Sequence, residues 1–166
     1  MQRKRVYLES SVISILTARP SNDILKLGKQ QITKAWWERR HRYDLFVSKV
    51  VSDEIIRGDK EAARLRAEVI IGLTYLPHAP LVDSLVQAFL ESKAFPYNAL
   101  EDAHHVALTA VYGIDYLLTW NQTHIANPVT LGQIRCLIQG FRLEPPMILT
   151  PEQLLEIEKC EQPETN

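Results

Sequence analysis

Nothing in these 166 residues approaches the ~20 consecutive apolar residues that a membrane-spanning helix needs. The basic start, Met1-Gln2-Arg3-Lys4-Arg5, runs into only a brief apolar stretch and lacks the apolar region of a secretory signal. A cytoplasmic protein without membrane contact is expected. Cysteine is scarce: Cys136 and Cys160 match no metal-ligand spacing, and the second falls in a polar tail where a disulfide would clamp little, so free thiols are expected. Charge of one sign is also lacking, and a net charge of -1 excludes a chain that coats nucleic acid by bulk electrostatics. Gly28-Lys29 lacks the glycine-rich run of a phosphate loop. Ser10 or Ser11 with His105 and Asp102 would make a hydrolytic triad on paper, but no G-x-S-x-G turn exists to present a serine nucleophile. His41 and His78 stand far from His104-His105, which excludes a zinc pattern of close pairs.

What is present is an ordinary globular balance, 46% apolar and 23% charged, in a length that suits one domain of roughly 100 to 200 residues. One folded unit over residues 1–157 is expected, followed by a polar tail, 158–166, that frays. Apolar runs alternate with helical spacing. Arg5 to Leu8 reads as a strand, and Ser10 or Ser11 is expected to cap a helix over Val12 to Ala18. A long helix from Ser21 or Asn22 to about Arg42, a strand at Leu45 to Val47, and two helices broken at Gly58 follow. Leu73 to Leu76 reads as a third strand, and Leu81 to Leu90 as the next helix. Asn98 and Glu101 have the spacing of a capping box for a helix that ends at Tyr112 before Gly113. Tyr116 to Thr119 and Met147 to Leu149 are the last strands, and Thr150-Pro151 opens a final helix. This alternation predicts a parallel sheet of four to five strands covered on both faces.

Arg39-Arg40-His41-Arg42 after Trp36-Trp37 is the clearest basic patch. Such a pairing can stack bases and hold phosphates. A solvated arginine face, with one tryptophan buried and the other at an interface, is the preferred reading.

In parallel sheets, functional groups gather at the carboxyl ends of the strands. Glu9 ends the first strand, Glu54 follows the second, Asp102 lies in the first turn of a helix, and Asn121 follows the fourth strand. Crowded carboxylates need a cation, and hard oxygen ligands suit Mg²⁺ or Mn²⁺, which activates water for phosphodiester hydrolysis. Taken alone, acids near strand ends are equally compatible with a purely structural role.

Four stretches resemble, in order, the motifs of PIN domains, and their nearest branch looks like the VapC-like toxins: Val6-Tyr7-Leu8-Glu9-Ser10-Ser11-Val12-Ile13-Ser14, Ser52-Asp53-Glu54-Ile55, Glu101-Asp102-Ala103-His104-His105-Val106-Ala107 and Leu117-Leu118-Thr119-Trp120-Asn121. The resemblance implies a three-layer α/β/α fold and a Mg²⁺- or Mn²⁺-dependent endoribonuclease, with an RNA substrate, an antitoxin partner and a homodimer. It assigns Glu9, Glu54 and Asp102 as metal-binding acids, Ser10 as a supporting hydroxyl and Asn121 as the outer member of the site. The chain departs from the family pattern twice: Glu9 is one methylene longer than the usual aspartate, and Asn121 is neutral where an acid is common, which weakens metal binding. A PIN-like binding module without strong catalysis is the competing expectation. His124, three residues after Asn121, could face the same pocket, either holding a phosphate or Mn²⁺ or bonding structurally. His105, one turn from Asp102, is expected to be a satisfied histidine or to orient Asp102.

Overall fold

The computed structural model describes residues 3–161. Five strands, β1 (Lys4–Leu8), β2 (Tyr43–Ser48), β3 (Thr74–Leu76), β4 (Tyr116–Leu118) and β5 (Met147–Leu149), pair in the order β3-β2-β1-β4-β5. Every pairing is parallel. Val6, Tyr7 and Leu8 of β1 and all of β4 are buried, as expected of central strands covered on both faces. The two edge strands, β3 and β5, have three residues each and need little sequence because their partners supply the ladder.

Among the described residues eight α-helices complete the fold: α1 (Ser10–Thr17), α2 (Ile24–Glu38), α3 (Lys49–Ile55), α4 (Lys60–Val69), α5 (Pro80–Glu91), α6 (Leu100–Val111), α7 (Leu131–Gly140) and α8 (Pro151–Glu161). α1 packs on α2 and α4, and α2 packs on α8; α5 packs on α6 and α7. The chain moves outward from β1 to β3, crosses back to β4 and continues to β5. The strand order therefore reverses between β1 and β4, and the crevice at their carboxyl ends is the switch point where such folds bind ligands. Among the described residues, no helix is long and apolar enough to cross a membrane.

Several local expectations are corrected. Glu9, not Ser10 or Ser11, is the N-cap of α1, its carboxylate accepting the Ser11 N–H. α2 starts after Asp23, which accepts from the Leu25 and Lys26 N–H groups, and it ends at Glu38, where Arg40–Arg42 turn as a 3₁₀ segment. Asn98 caps nothing: it lies in a second 3₁₀ turn, Tyr97–Ala99, and α6 begins without a side-chain cap. The arginine face is solvated as expected, with Arg39 and Arg40 exposed and Arg42 partly so, but its members are also bonded. Arg39 and Arg42 both donate to Glu158 at 3.0 Å, Tyr43 donates to the same carboxylate, and Arg40 lies over the Trp37 ring. Trp36 is fully buried and Trp37 partly so. Residues 158–161, assigned to the tail by composition, form the last turn of α8 with Glu158 buried; the remainder of that tail, 162–166, lies outside the described residues.

The opening of α8 forms as expected and gains a second half. Thr150 Oγ1 accepts the Gln153 N–H at 3.3 Å, while Gln153 Oε1 accepts the Thr150 N–H at 2.9 Å, a reciprocal capping box. Thr150→Ala is expected to lower stability by about 1 kcal/mol, read as a fall in the urea midpoint at unchanged slope.

Candidate metal centre

Glu9 prolongs β1 past its last strand residue, and its N–H donates to the Leu118 carbonyl at 3.1 Å, so the β1–β4 ladder holds its backbone in place. Its side chain folds back over the start of α1. Oε1 accepts from Ser10 Oγ at 2.8 Å and the Ser11 N–H at 3.1 Å; Oε2 accepts from Thr119 Oγ1 at 2.7 Å and from Ser11 Oγ. A carboxylate offers about four acceptor positions, and all of these are taken. Ser11 is shared: its hydroxyl oxygen also accepts the Trp120 N–H at 2.8 Å, tying α1 to the segment after β4.

Glu54 comes from α3 and meets His105 of α6, a wholly buried imidazole. His105 Nε2 lies 2.8 Å from Glu54 Oε2; an ionised carboxylate only accepts, so Nε2 carries the hydrogen. On the other side Nδ1 is 2.8 Å from the Tyr7 hydroxyl, which is 2.7 Å from Ser48 Oγ. A buried relay thus runs from the end of β2 through β1 to the acid. Burial pulls the His105 pKa down, but the Glu54 hydrogen bond and the charges of Glu9, Glu54 and Asp102 outweigh it and leave the pKa raised. Burial also pushes the Tyr7 phenol up, and the nearby Glu9 and Glu54 charges add to this, so it stays a neutral hydroxyl.

Asp102 sits in the first turn of α6, where the unpaired N–H groups of the helix start favour an acid. Asn121 Nδ2 donates to its Oδ1 at 3.0 Å, and His124 Nδ1 lies 2.9 Å from its Oδ2, donating on the same argument as His105. Asn121 Oδ1 in turn accepts the His124 N–H at 3.1 Å. One of the two acceptor positions of the Asn121 amide oxygen is therefore taken, and its amide nitrogen holds Asp102 in position. At the rim, Arg57 forms a two-pronged pair with Glu101, whose hydrogen bond and charge hold that carboxyl below its ordinary pKa.

The structure brings the expected residues to one edge of the sheet, but in two groups. Ligand atoms of Glu9, Glu54 and His105 lie within 4.8 Å of one another. Asp102 stands in the neighbouring group with Asn121 and His124, and its charge reaches His105. Helical spacing points His105 at Asp102; tertiary packing gives it to Glu54. The roles of Tyr7, Ser11 and Thr119 were not foreseen, and the only sequence signal for them was a hydroxyl beside each acidic motif.

The donor set fits a hard divalent cation: the carboxylates of Glu9 and Glu54, with the His105 imidazole at the inner wall, hydroxyl oxygens around Glu9 and the Asp102 carboxylate in the adjoining group. Glu54 and Asp102 keep acceptor capacity beyond their present bonds, whereas Glu9 would have to give up a hydroxyl donor to bind. The Arg40–Arg42 patch lies elsewhere. It precedes Tyr43 at the amino end of β2, in register with Lys4, so a strand length of roughly 16 Å separates it from the acids.

No family model matches the chain, and no curated protein matches it. A solved structure does: VapC20 of Mycobacterium tuberculosis, a toxin that cleaves the sarcin-ricin loop, is similar with a TM-score of 0.56 and 15% identity, over 74% of this chain and 95% of that one. The likeness shows the fold. The chain shares that α/β fold, with a five-stranded parallel sheet covered by helices, as its motifs implied.

Proposed function

We propose that the chain is a metal-dependent endoribonuclease of the toxin type, in which Glu9, Glu54 and Asp102 hold Mg²⁺ or Mn²⁺ and Ser10 and Asn121 support them. The observation that carries this reading is that Glu9 and Glu54, from distant segments, meet at the switch point of the sheet with the charge of Asp102 beside them. A buried Glu9 and the half-buried Glu54 and Asp102, held by the ladder, a histidine relay and an amide, serve no packing purpose that apolar residues would not serve better. When bound, the cation activates water and stabilises charge on the oxygens of the cut phosphodiester. His105 fixes Glu54, Asn121 and His124 fix Asp102, and the hydroxyls of Ser10, Ser11 and Thr119 fix Glu9. The same reading places the protein in the cytoplasm with RNA as substrate, an antitoxin that blocks the site and a second copy of the chain as partner.

Purified protein is expected to cut single-stranded RNA when MnCl₂ or MgCl₂ is titrated in, to stop in EDTA, and to be inert as Asp102→Asn at every metal concentration. A second reading, a binding module with little catalysis, is favoured by Glu9 having no acceptor position to spare and by a neutral amide, Asn121, beside Asp102. Inertness of the wild-type chain in both metals selects it.

A further inference from the structure

Tyr7 puts a hydroxyl at the middle of the sheet, where a strand covered on both faces calls for an apolar side chain. Phenylalanine would fill the same space, and a buried hydroxyl costs free energy unless it is bonded. The phenol oxygen is bonded twice, 2.8 Å from His105 Nδ1 and 2.7 Å from Ser48 Oγ. Ser48 is the N-cap of α3, its hydroxyl oxygen accepting the Val51 N–H at 3.5 Å, and α3 is the helix that carries Glu54. His105 Nε2 holds the carboxylate of that same residue. One phenol therefore stands between the two holds on Glu54, the start of its helix and the imidazole on its carboxylate.

We propose that Tyr7 is a positioning residue for the metal centre: with Ser48 as its anchor and His105 as its arm, its hydroxyl sets how far Glu54 stands from Glu9. The proposal rests on the metal-dependent reading above. Glu9 follows Tyr7 by two residues, and the bond from the Glu9 N–H to the Leu118 carbonyl continues the ladder, so both side chains leave one face of the sheet. Tyr7 is itself locked in register, opposite Phe46 on β2 and Leu117 on β4. The strand that carries one acid thus also carries the stop against which the other is seated. Ligand atoms of Glu9, Glu54 and His105 fall within 4.8 Å of one another, so a small shift of the imidazole is felt between the acids. A Mg²⁺-sized cation demands near-ideal placement of its oxygens, and a looser spacing binds it less tightly. Among the described residues the phenol bonds neither acid, which leaves His105 as its route to the ion.

The test reads cation affinity and not cutting: Mn²⁺ is titrated into the full chain without RNA, and the free ion is followed by its electron paramagnetic resonance signal. Tyr7→Phe is expected to weaken Mn²⁺ binding about tenfold, the usual cost of removing a group that orients a ligand, and His105→Gln to do the same. The double variant should also lose about tenfold, in place of the roughly hundredfold of independent effects, because the phenol acts through the imidazole. Tyr116→Phe, which removes a hydroxyl from the neighbouring strand β4, should leave the affinity unchanged. A thermal melt establishes that each variant folds; should Tyr7→Phe not fold, the same cycle is run with Ser48→Ala, which frees the phenol from its anchor. Losses that multiply in the double variant overturn the proposal, as does a Tyr7→Phe chain that binds Mn²⁺ as tightly as wild type. Glu54→Gln keeps the two readings apart. If it leaves Mn²⁺ affinity unchanged, the metal centre itself is refuted; if it weakens the ion while folded Tyr7→Phe does not, this proposal alone is.

Discussion

Glu54→Gln is expected to reduce metal-dependent RNA cutting by about a thousandfold or more while leaving the protein folded. The substitution keeps the shape of the side chain and an oxygen that can still accept from His105 Nε2, 2.8 Å away in the native chain. What it removes is one negative charge beside the candidate ion, together with a strong oxygen ligand. Metal assistance is worth several kcal/mol of transition-state stabilisation, and about 4 kcal/mol corresponds to the three decades expected. The residual cutting should need more Mn²⁺ or Mg²⁺, because the remaining acids hold the cation less tightly. Initial rates against metal concentration, alongside a thermal melt within a few degrees of wild type, separate loss of chemistry from loss of fold. A variant that cuts within tenfold of wild type at the same metal concentration removes Glu54 from the site.

The largest effect on stability is expected at the opposite end of the sheet. Glu158 is 6% exposed and gathers three donors, Arg39, Arg42 and Tyr43, which lock α8 against the turn that leads into β2. Glu158→Leu strands those donors. Breaking a buried pair costs about 3–5 kcal/mol when the remaining charge stays buried. Here the Arg39 and Arg42 side chains are 48% and 34% exposed and can turn to water, so most of the charge cost is recovered. The Tyr43 hydroxyl is less free, since burial first and the Glu158 hydrogen bond second hold it neutral and enclosed. A net loss of about 2–3 kcal/mol is expected, mostly the cost of an orphaned hydroxyl and the loosened helix. Urea denaturation at neutral pH measures it, and a loss under about 0.5 kcal/mol would mean that the clasp is ornamental. Activity should survive at temperatures where the variant is folded, because no acid of the candidate centre touches the clasp.

The fold was legible where local chemistry determines it. β5 forms at Met147–Leu149, where its apolar run predicts a strand, and α8 opens on Thr150 and Pro151 because cap and proline act within one turn. Boundaries set by distant partners were not legible: α2 stops short of Arg42 because Glu158, 119 residues from Arg39, captures the following turn. The site shows the same division. The order of Glu9, Glu54, Asp102 and Asn121 along strand ends can be read from the chain, since each follows an element that the apolar pattern reveals. That His105 serves Glu54 depends on α3 packing beside α6, a contact between residues 51 apart that no spacing rule contains. Glu9 as its own helix cap was hidden for another reason, because serine follows it twice and serine is the commoner cap.

Ser11 donates to Glu9 and accepts from Trp120, so a candidate metal ligand, the first turn of a helix and the exit of a central strand share a single hydroxyl oxygen. Any pull that draws Glu9 outward slackens all of them together, and Lys29, resting on the Trp120 ring, rides on the same joint. Glu9 therefore cannot shift without loosening the start of α1 and the exit of β4 with it, through one shared atom and without a hinge.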